Sequence, residues 1–258
     1  MSLPGKEVFR CYDNFGPIKV YDDGNKRYLS FGLDDEQSCQ LKSAPDQLQY
    51  DYTRAMLIAT QLVHNPRKIL MFGLGGASLP CCLHQHFPSA EIDVIELRQR
   101  VIDVAFRYFQ LPRSPRLKVI EQDARDYLRE QETRAATEAV EPNLDIIYSD
   151  IYSAEGPDDM QLTDIFLQQC KGLLQDAGWL VLNLWTAQRK DRDFIPLLQQ
   201  YFADIRVCNT QSNNWVVMAG KRPNTLSDKE LREKIKQLGQ QVEFGLLGVY
   251  SRLQRCRR

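Results

Sequence analysis

The sequence predicts an α/β fold with a mostly parallel sheet, and two observations carry this prediction. From Arg67 onward, short apolar runs of strand length alternate with stretches of helix length. Apolar strands joined by helices form parallel sheets that are covered on both faces. Near the carboxyl end, "DIRVCNTQSNNWVVMAGK" places two strands around a Gln-Ser-Asn-Asn turn without a helix. These last two strands are therefore predicted to pair antiparallel.

The predicted elements of this region follow in regular order. The strands are expected at "KILMFG", "EIDVIEL", "RLKVIEQ", "LDIIYSD" and "GWLVLNLW". The helices between them are expected at Leu79–Phe87, Arg98–Phe109, Ala124–Glu132 and Gln161–Leu173. Five βα steps that close in an antiparallel hairpin suit the Rossmann-like sheet of S-adenosylmethionine-dependent methyltransferases better than a dehydrogenase sheet, an analogy between folds.

The two ends of the chain show their own patterns. Two alternating runs around Asp23-Gly24 predict a small N-terminal β-hairpin. A helix is expected after Pro45, with Asp46 as its N-cap. Ser227, three residues before Glu230, forms a capping box that predicts a last helix. We expect three parts: residues 1–60 with the N-terminal strands and helix, 61–222 as the nucleotide-binding catalytic domain, and 223–258 with a helix and a solvated basic tail.

The composition argues against several classes of function. The net charge is −1, which gives no electrostatic reason to expect a nucleic acid or an anionic membrane as partner. No apolar run is long enough to span a bilayer. Seven cysteines with irregular spacing and no CxxC pair argue against disulfides or zinc. The three histidines are poorly arranged for ligation, so no metal is expected. We expect a cytoplasmic protein.

A glycine turn marks the first candidate site. In "RKILMFGLGGASLP" an apolar strand runs into Gly73 and Gly75 and then into a predicted helix. Glycines let a ligand approach the backbone, and the following helix directs its N–H groups at that ligand. The alternative is that these glycines serve only close packing of the helix on the sheet.

Two acids at the same sheet edge strengthen the nucleotide hypothesis. Glu96 ends the second strand 23 residues after Gly73, where a carboxylate can accept hydrogen bonds from both ribose hydroxyls. Asp123 follows the third strand and can bind the adenine amine, although it can equally be a helix N-cap. The alternative for Glu96 is a strand-end charge paired with a neighbouring arginine. Together with the glycine turn, the two acids favour an adenosyl thioether over NAD.

Asp150 ends the fourth strand, beside the reactive end of a nucleotide bound at this edge. A carboxylate here can take a proton from an attacking amine, or hold an ammonium group near a sulfonium centre. The alternative is an Asp that only forms a turn. Tyr148, Tyr152 and Trp185 lie near the same edge and can either wall an acceptor pocket or simply pack.

Four segments carry a resemblance to the spermidine synthase (polyamine aminopropyltransferase) family between about Ile18 and Gly220. They are "GLGGASLP" for a glycine-rich GGGDGG loop, "DVIEL", "EQDARDYL" and "DIIYSDIYSAEGP". Upstream, Gln40 and Tyr50 loosely match a nucleotide-binding glutamine and an acceptor-binding tyrosine. The resemblance implies that decarboxylated S-adenosylmethionine donates an aminopropyl group to an amine. It also makes a homodimer possible.

The strand-end positions and the resemblance together give the expected site residues. Asp150 is the expected catalytic residue. The expected cofactor-binding residues are Gln40, Gly73, Gly75, Glu96, Asp123 and Ala124. The expected acceptor pocket is Tyr50, Tyr152, Ser153 and Trp185.

The sequence departs from the family pattern where that pattern has acids that hold cationic amine groups. Gly76 replaces the acid of the glycine-rich loop, Ser153 replaces the second acid after Asp150, and Asp51-Tyr52 replaces a His-Glu pair. Three functions therefore stay open. They are aminopropyl transfer to an amine acceptor that need not be putrescine, methyl transfer from intact S-adenosylmethionine, which Gly76 favours, and non-catalytic binding of a nucleotide or a partner chain.

Overall fold

The computed structural model describes residues 4–32, 36–153 and 156–256. Its strands are β1 (Lys6–Asp13), β2 (Gly16–Asp23), β3 (Lys26–Ser30), β4 (Ser38–Leu41), β5 (Lys68–Phe72), β6 (Glu91–Glu96), β7 (Leu117–Glu121), β8 (Leu144–Ser149), β9 (Tyr152–Ser153), β10 (Gly156–Pro157), β11 (Leu174–Trp185), β12 (Asp204–Asn209), β13 (Asn214–Gly220) and β14 (Leu253–Cys256). Its α-helices are α1 (Asp51–Leu57), α2 (Ser78–His86), α3 (Gln99–Tyr108), α4 (Ala124–Glu138), α5 (Asp164–Leu173), α6 (Phe194–Tyr201), α7 (Asp228–Gln241) and α8 (Leu247–Tyr250).

The main sheet has eight strands in the order β14-β12-β13-β11-β8-β5-β6-β7. The strands from β11 to β7 pair parallel, as their continuous apolar sequences predict. β13 lies between β11 and β12 and is antiparallel to both. The predicted parallel sheet with an antiparallel terminal hairpin is therefore confirmed.

The N-terminal strands β1 to β4 form a separate antiparallel sheet. The hairpin predicted at Asp23-Gly24 joins β2 to β3, with Asp23 opposite Lys26. Ile18, Val20 and Leu29 are fully buried and pack in the same apolar cluster as β5 and β6. The small sheet is thereby held against one face of the main sheet.

The helix expected after Pro45, with Asp46 as its N-cap, begins later in the chain than predicted. α1 starts at Asp51 and continues into a 3-10 helix over Ile58–Gln61. Asp46 is not its N-cap, because the Asp46 carboxylate lies 2.9 Å from Nε2 of His86. That prediction is wrong because a side chain distant in sequence takes up the carboxylate.

Two further boundaries differ from expectation. α5 begins at Asp164 rather than Gln161, since the Thr163 hydroxyl caps the Phe166 N–H and a 3-10 helix over Asp159–Leu162 precedes it. α4 extends to Glu138, six residues beyond its expected end. Helix α6 has no counterpart among the helices predicted from the sequence.

The C-terminal segment begins as expected and ends differently. Ser227 and Glu230 form the predicted capping box of α7. The basic tail is not simply solvated, because β14 pairs with β12. The buried Asp204 carboxylate forms ion pairs with Arg206 and with Arg255 of that strand. A buried carboxylate needs such partners, and they fix the tail at the sheet edge.

All seven cysteines are free thiols. Among the described helices, none is long and apolar enough to cross a membrane.

Candidate active site

A cavity of about 550 Å³ opens at the carboxyl edge of β5, β6, β7 and β8, where the strand ends of a parallel sheet meet. The N-terminal sheet contributes the residues around Ser38, and α1 contributes Tyr52 and Thr53. Of the residues expected at the site, those on the cavity wall are Tyr50, Gly73, Gly75, Glu96, Asp123, Ala124, Asp150, Tyr152 and Trp185.

Gln40 is not on that wall. It is 1% exposed, and its Nε2 donates to the carbonyl oxygen of Phe109 at 2.9 Å. The structure therefore does not bring Gln40 to the cavity; Ser38 and Cys39 of the same strand line it instead. Tyr148 lies fully buried in the core and packs, as its alternative reading held. The Ser153 side chain lies outside the described part of the chain.

The glycine turn is shaped by close packing as well as by the cavity. Gly73 has a φ of 90°, and a Cβ built there would lie 2.3 Å from the carbonyl oxygen of Asp150. The Asp150 N–H donates to the Phe72 carbonyl at 2.9 Å. Only glycine fits at position 73, and its absence of a side chain brings the Asp150 backbone directly against the turn.

Glu96 braces the same turn from the end of β6. Its two carboxylate oxygens accept from the Leu74 and Arg98 backbone N–H groups, each at 2.9 Å. Burial raises the pKa of this carboxyl, against the lowering effect of these hydrogen bonds. The neighbouring Arg98 side chain is taken up by Asp13, at 2.8 and 2.9 Å. Glu96 is therefore oriented by backbone and faces the cavity as an acceptor.

Asp123 is the N-cap of α4, the alternative that the sequence left open. Its Oδ1 accepts from the Arg125 N–H at 2.6 Å. The Arg125 guanidinium binds both oxygens of Asp158, at 2.7 and 2.9 Å. Asp123 nevertheless lines the cavity, so capping and ligand binding are compatible at this position.

Asp150 lies at the cavity floor, just after β8. Asn183 Nδ2 donates to its Oδ1 at 2.8 Å, and no arginine or lysine of the described residues pairs with it. Burial raises the pKa of Asp150 to about 6, against the lowering effect of the Asn183 hydrogen bond. The group can therefore exchange a proton near neutral pH, as a general base requires.

Aromatic side chains line the same cavity as this carboxyl group. The Tyr50 and Tyr52 ring centroids are 5.8 Å apart, and those of Tyr152 and Trp185 are 6.3 Å apart. Burial, and secondarily the Asp150 charge, raise the pKa of Tyr52 and of Tyr152, so both phenols stay neutral. Trp185 is 44% exposed and forms part of the mouth.

Sequence reasoning missed several wall residues. Glu36 accepts a hydrogen bond from the Tyr50 hydroxyl at 2.7 Å, yet no motif marks it. Asn183 and Asn214 are buried polar residues on β11 and β13. A polar residue within an otherwise apolar strand was the available signal for Asn183.

The acid missing at Gly76 has no space in this structure. A Cβ built at position 76 would lie 2.7 Å from the Ser38 Cβ. The Ser38 hydroxyl oxygen accepts from the Gly76 N–H at 2.8 Å. Ser38 of β4 therefore occupies the volume into which a side chain at position 76 would extend.

The charge of the cavity is negative on balance. The carboxylates on the described wall are Glu36, Glu96, Asp123, Asp150 and Asp158. Its two arginines, Arg98 and Arg125, are both paired with aspartates. Within the described ranges, no group of three or more His, Cys, Asp or Glu side chains is placed to hold a metal ion.

No family model matches the chain. Individual known proteins are similar to it. The chain is 28% identical over 238 residues to a polyamine aminopropyltransferase of Chromobacterium violaceum, covering 89% of this chain and 85% of that protein. The chain is therefore similar to a polyamine aminopropyltransferase over most of its length. The resemblance that its four motif segments predicted is confirmed.

A second group of relatives consists of methyltransferases. The chain is 33% identical over 147 residues to the eEF1A lysine and N-terminal methyltransferase of Mus musculus, 52% of this chain and 20% of that protein. The chain thus matches only about a fifth of that longer relative.

Solved structures of proteins of both kinds are similar to this chain. Human methyltransferase-like protein 13 in complex with SAH has a TM-score of 0.67 and 28% identity, over 75% of this chain and 92% of that one. A probable spermidine synthase from Corynebacterium glutamicum has a TM-score of 0.73 and 17% identity, over 97% and 90%. These likenesses confirm the Rossmann-like fold of methyltransferases and spermidine synthases.

Proposed function

We propose that this protein is a spermidine-synthase-like transferase that moves a carbon group from an S-adenosylmethionine-type donor to an amine. The observation that carries the proposal is the placement of Asp150. Its carboxyl group has no cationic partner among the described residues and lines a negatively charged cavity. Burial raises the pKa of this group to about 6, and the Asp150 backbone lies against the glycine turn.

The donor would lie along the edge of β5, β6 and β7. Glu96 would accept from the ribose hydroxyls, and Asp123 would accept from the adenine amine. Gly73 and Gly75 would leave room for the donor at the turn. The orientation of Glu96 by two backbone N–H groups supports this role, because a fixed carboxylate loses little freedom when it binds.

The transfer needs positioning and the removal of one proton. The acceptor nitrogen forms a bond to the carbon attached to the sulfonium, the carbon–sulfur bond breaks, and its electron pair stays on sulfur as a neutral thioether. Asp150 takes the proton that the nitrogen must lose, either before or after attack. Alignment by the cavity walls supplies the remainder of the rate enhancement.

The walls suit a cationic acceptor. Tyr50, Tyr52, Tyr152 and Trp185 present aromatic faces, which attract ammonium groups. Glu36, hydrogen-bonded to Tyr50, provides a second carboxylate at the wall. We therefore propose a small-molecule amine as acceptor and S-adenosylmethionine or its decarboxylated form as donor, without a metal. A homodimer, a cytoplasmic location and the division at residues 60 and 222 also stay proposals.

Methyl transfer is the second candidate, and the turn at Gly76 favours it. Ser38 fills the space of the missing acid, so no carboxylate at that position holds the ammonium group of an aminopropyl donor or repels the carboxylate of intact S-adenosylmethionine. The relative of known structure at 28% identity is a methyltransferase-like protein in complex with SAH. The product of the reaction shows whether a methyl or an aminopropyl group is transferred.

A product assay tests the proposal. Each donor is incubated with putrescine, spermidine and butylamine, and the nucleoside product is identified by mass spectrometry. Methylthioadenosine formed from the decarboxylated donor indicates aminopropyl transfer, and S-adenosylhomocysteine formed from intact S-adenosylmethionine indicates methyl transfer. We expect Asp150→Asn to lower the rate about 100-fold or more, the usual effect of a general base. Asp159→Asn, which removes an exposed carboxylate nearby, is the matched control and should keep the rate. Undiminished turnover in Asp150→Asn would contradict the assignment.

A further inference from the structure

We propose that Asn183 and Asn214 form a positioning pair that holds Asp150 with one carboxylate oxygen occupied and the other directed to the substrate. The proposal rests on the function proposed for Asp150 and adds two residues to its machinery. Neither asparagine is offered as a catalytic residue, since each acts through the carboxylate.

The pair lies on two neighbouring strands of the main sheet. β11 and β13 are antiparallel, with Trp185 opposite Asn214. Asn183 precedes Trp185 by two residues, so its side chain emerges on the same face, diagonal to Asn214. Asn183 is 1% exposed and Asn214 is 8% exposed. Buried amides need hydrogen-bond partners, and these two find them in each other and in Asp150. Asn214 is also bonded to Ser212 and, at 3.4 Å, donates to the Tyr152 hydroxyl.

The hydrogen bonds run in one direction. The Ser212 hydroxyl donates to Asn214 Oδ1 at 2.8 Å. Asn214 Nδ2 donates to Asn183 Oδ1 at 3.0 Å, and Asn183 Nδ2 donates to Asp150 Oδ1 at 2.8 Å. Because Asn214 presents an N–H to the Asn183 oxygen, the Asn183 amide is held with its NH₂ group toward Asp150. Reversal of that amide would place an oxygen against the carboxylate.

The arrangement leaves Asp150 Oδ2 without a hydrogen bond to any described residue. The titratable groups that face the carboxyl are Tyr52 of α1 and Tyr152, both neutral. The Asn183 N–H is therefore the one hydrogen bond from a described side chain that stabilises the ionised form. Its loss or its reversal raises the pH at which Asp150 becomes a base.

The test measures the titration of Asp150 directly. The protein is labelled with ¹³C at aspartate carboxyls, and the Asp150 signal is assigned by its absence in Asp150→Asn. We expect the wild-type midpoint near 6. Asn183→Leu should move it upward by about one to two pH units, the shift expected when a hydrogen bond to a charged group is lost. Asn214→Leu should move it in the same direction although it does not touch Asp150.

Asn213→Gly is the matched control, because Asn213 is exposed in the same turn and its φ of 62° suits glycine. It should leave the midpoint unchanged. A purely structural role of the pair would lower the melting temperature without moving the midpoint, and that result would overturn the proposal. Asn214→Leu carries the test if Asn183→Leu does not fold.

The titration needs no turnover, so it is independent of the proposed transfer. In an active enzyme, the acid limb of the pH–rate profile should move upward by the same amount as the midpoint. Absence of transfer in every variant would refute the proposed function, while the midpoints would still decide the role of the pair.

Discussion

The carboxyl group that suits Asp150 to act as a base also destabilises the folded protein at neutral pH. A carboxyl group buried without a cation is more easily protonated than in the unfolded chain, and its pKa rises from 3.8 to about 6. The folded state therefore binds more protons than the unfolded state between these values, and stability falls as pH rises through this interval. Above pH 6 the charged form is fully penalised.

Replacing this carboxyl group should therefore stabilise the protein at neutral pH. We predict that Asp150→Asn and wild type have equal free energies of unfolding below about pH 3, where the carboxyl group is protonated in both the folded and the unfolded state. The variant should become more stable by up to about 3 kcal/mol at pH 8, the amount that corresponds to the pKa shift. Urea denaturation at several pH values measures the difference. Asp159→Asn serves again as control, and a pH-independent gain in Asp150→Asn would show that burial does not perturb the carboxyl group.

At the scale of elements, the glycine turn and β4 are fitted to each other. We predict that Gly76→Ala destabilises the protein by about 1–3 kcal/mol, because its Cβ would overlap the Ser38 Cβ. Ser38→Gly should also destabilise, since it leaves the buried Gly76 N–H without an acceptor.

The double variant Ser38→Gly/Gly76→Ala should lose less stability than the sum of the single variants, because removing Ser38 provides the space that the alanine needs. Denaturant midpoints of the four proteins complete this cycle. Strict additivity would mean that the two positions do not share the same volume.

The elements also show what the sequence can predict. The strands from β5 to β8, β11 and the final hairpin were predictable, because apolar runs and turn residues are local signals. The glycine turn and the acids at the strand ends were predictable for the same reason. The positions of Ser38 against Gly76 and of His86 against Asp46 were not, since each joins residues about 40 positions apart.

The site residues also divide into those that local sequence predicts and those that it does not. Asp150 was identified as the last residue of a strand, whereas its partner Asn183 is found only when β11 is placed beside β8. Gln40 matched a family position by local sequence, yet its amide is directed to the Phe109 carbonyl. Local patterns predict which strand ends carry polar groups, and packing decides which of them reach the cavity.

In the whole molecule, the main sheet and the N-terminal sheet enclose the cavity, and they are joined at the expected ribose-binding end. The Arg98 guanidinium binds both oxygens of Asp13 and the carbonyl of Gly16, at the tip of the β1–β2 hairpin. It also lies 4.8 Å from the Phe31 ring centroid. The backbone N–H of the same residue holds Glu96. A donor bound at Glu96, as proposed, would therefore touch the junction between the N-terminal sheet and the core.

We propose that this junction binds an S-adenosylmethionine-type donor, and isothermal titration measures that binding. Wild type, Glu96→Gln and the control Glu91→Gln, an exposed glutamate of the same strand, are titrated with S-adenosylmethionine, its decarboxylated form and methylthioadenosine. We predict binding of at least one of these compounds to wild type and to Glu91→Gln, with affinity reduced about tenfold or more in Glu96→Gln. Preference for the decarboxylated form supports aminopropyl transfer, and preference for intact S-adenosylmethionine supports methyl transfer. Failure of all three to bind wild type would contradict the account.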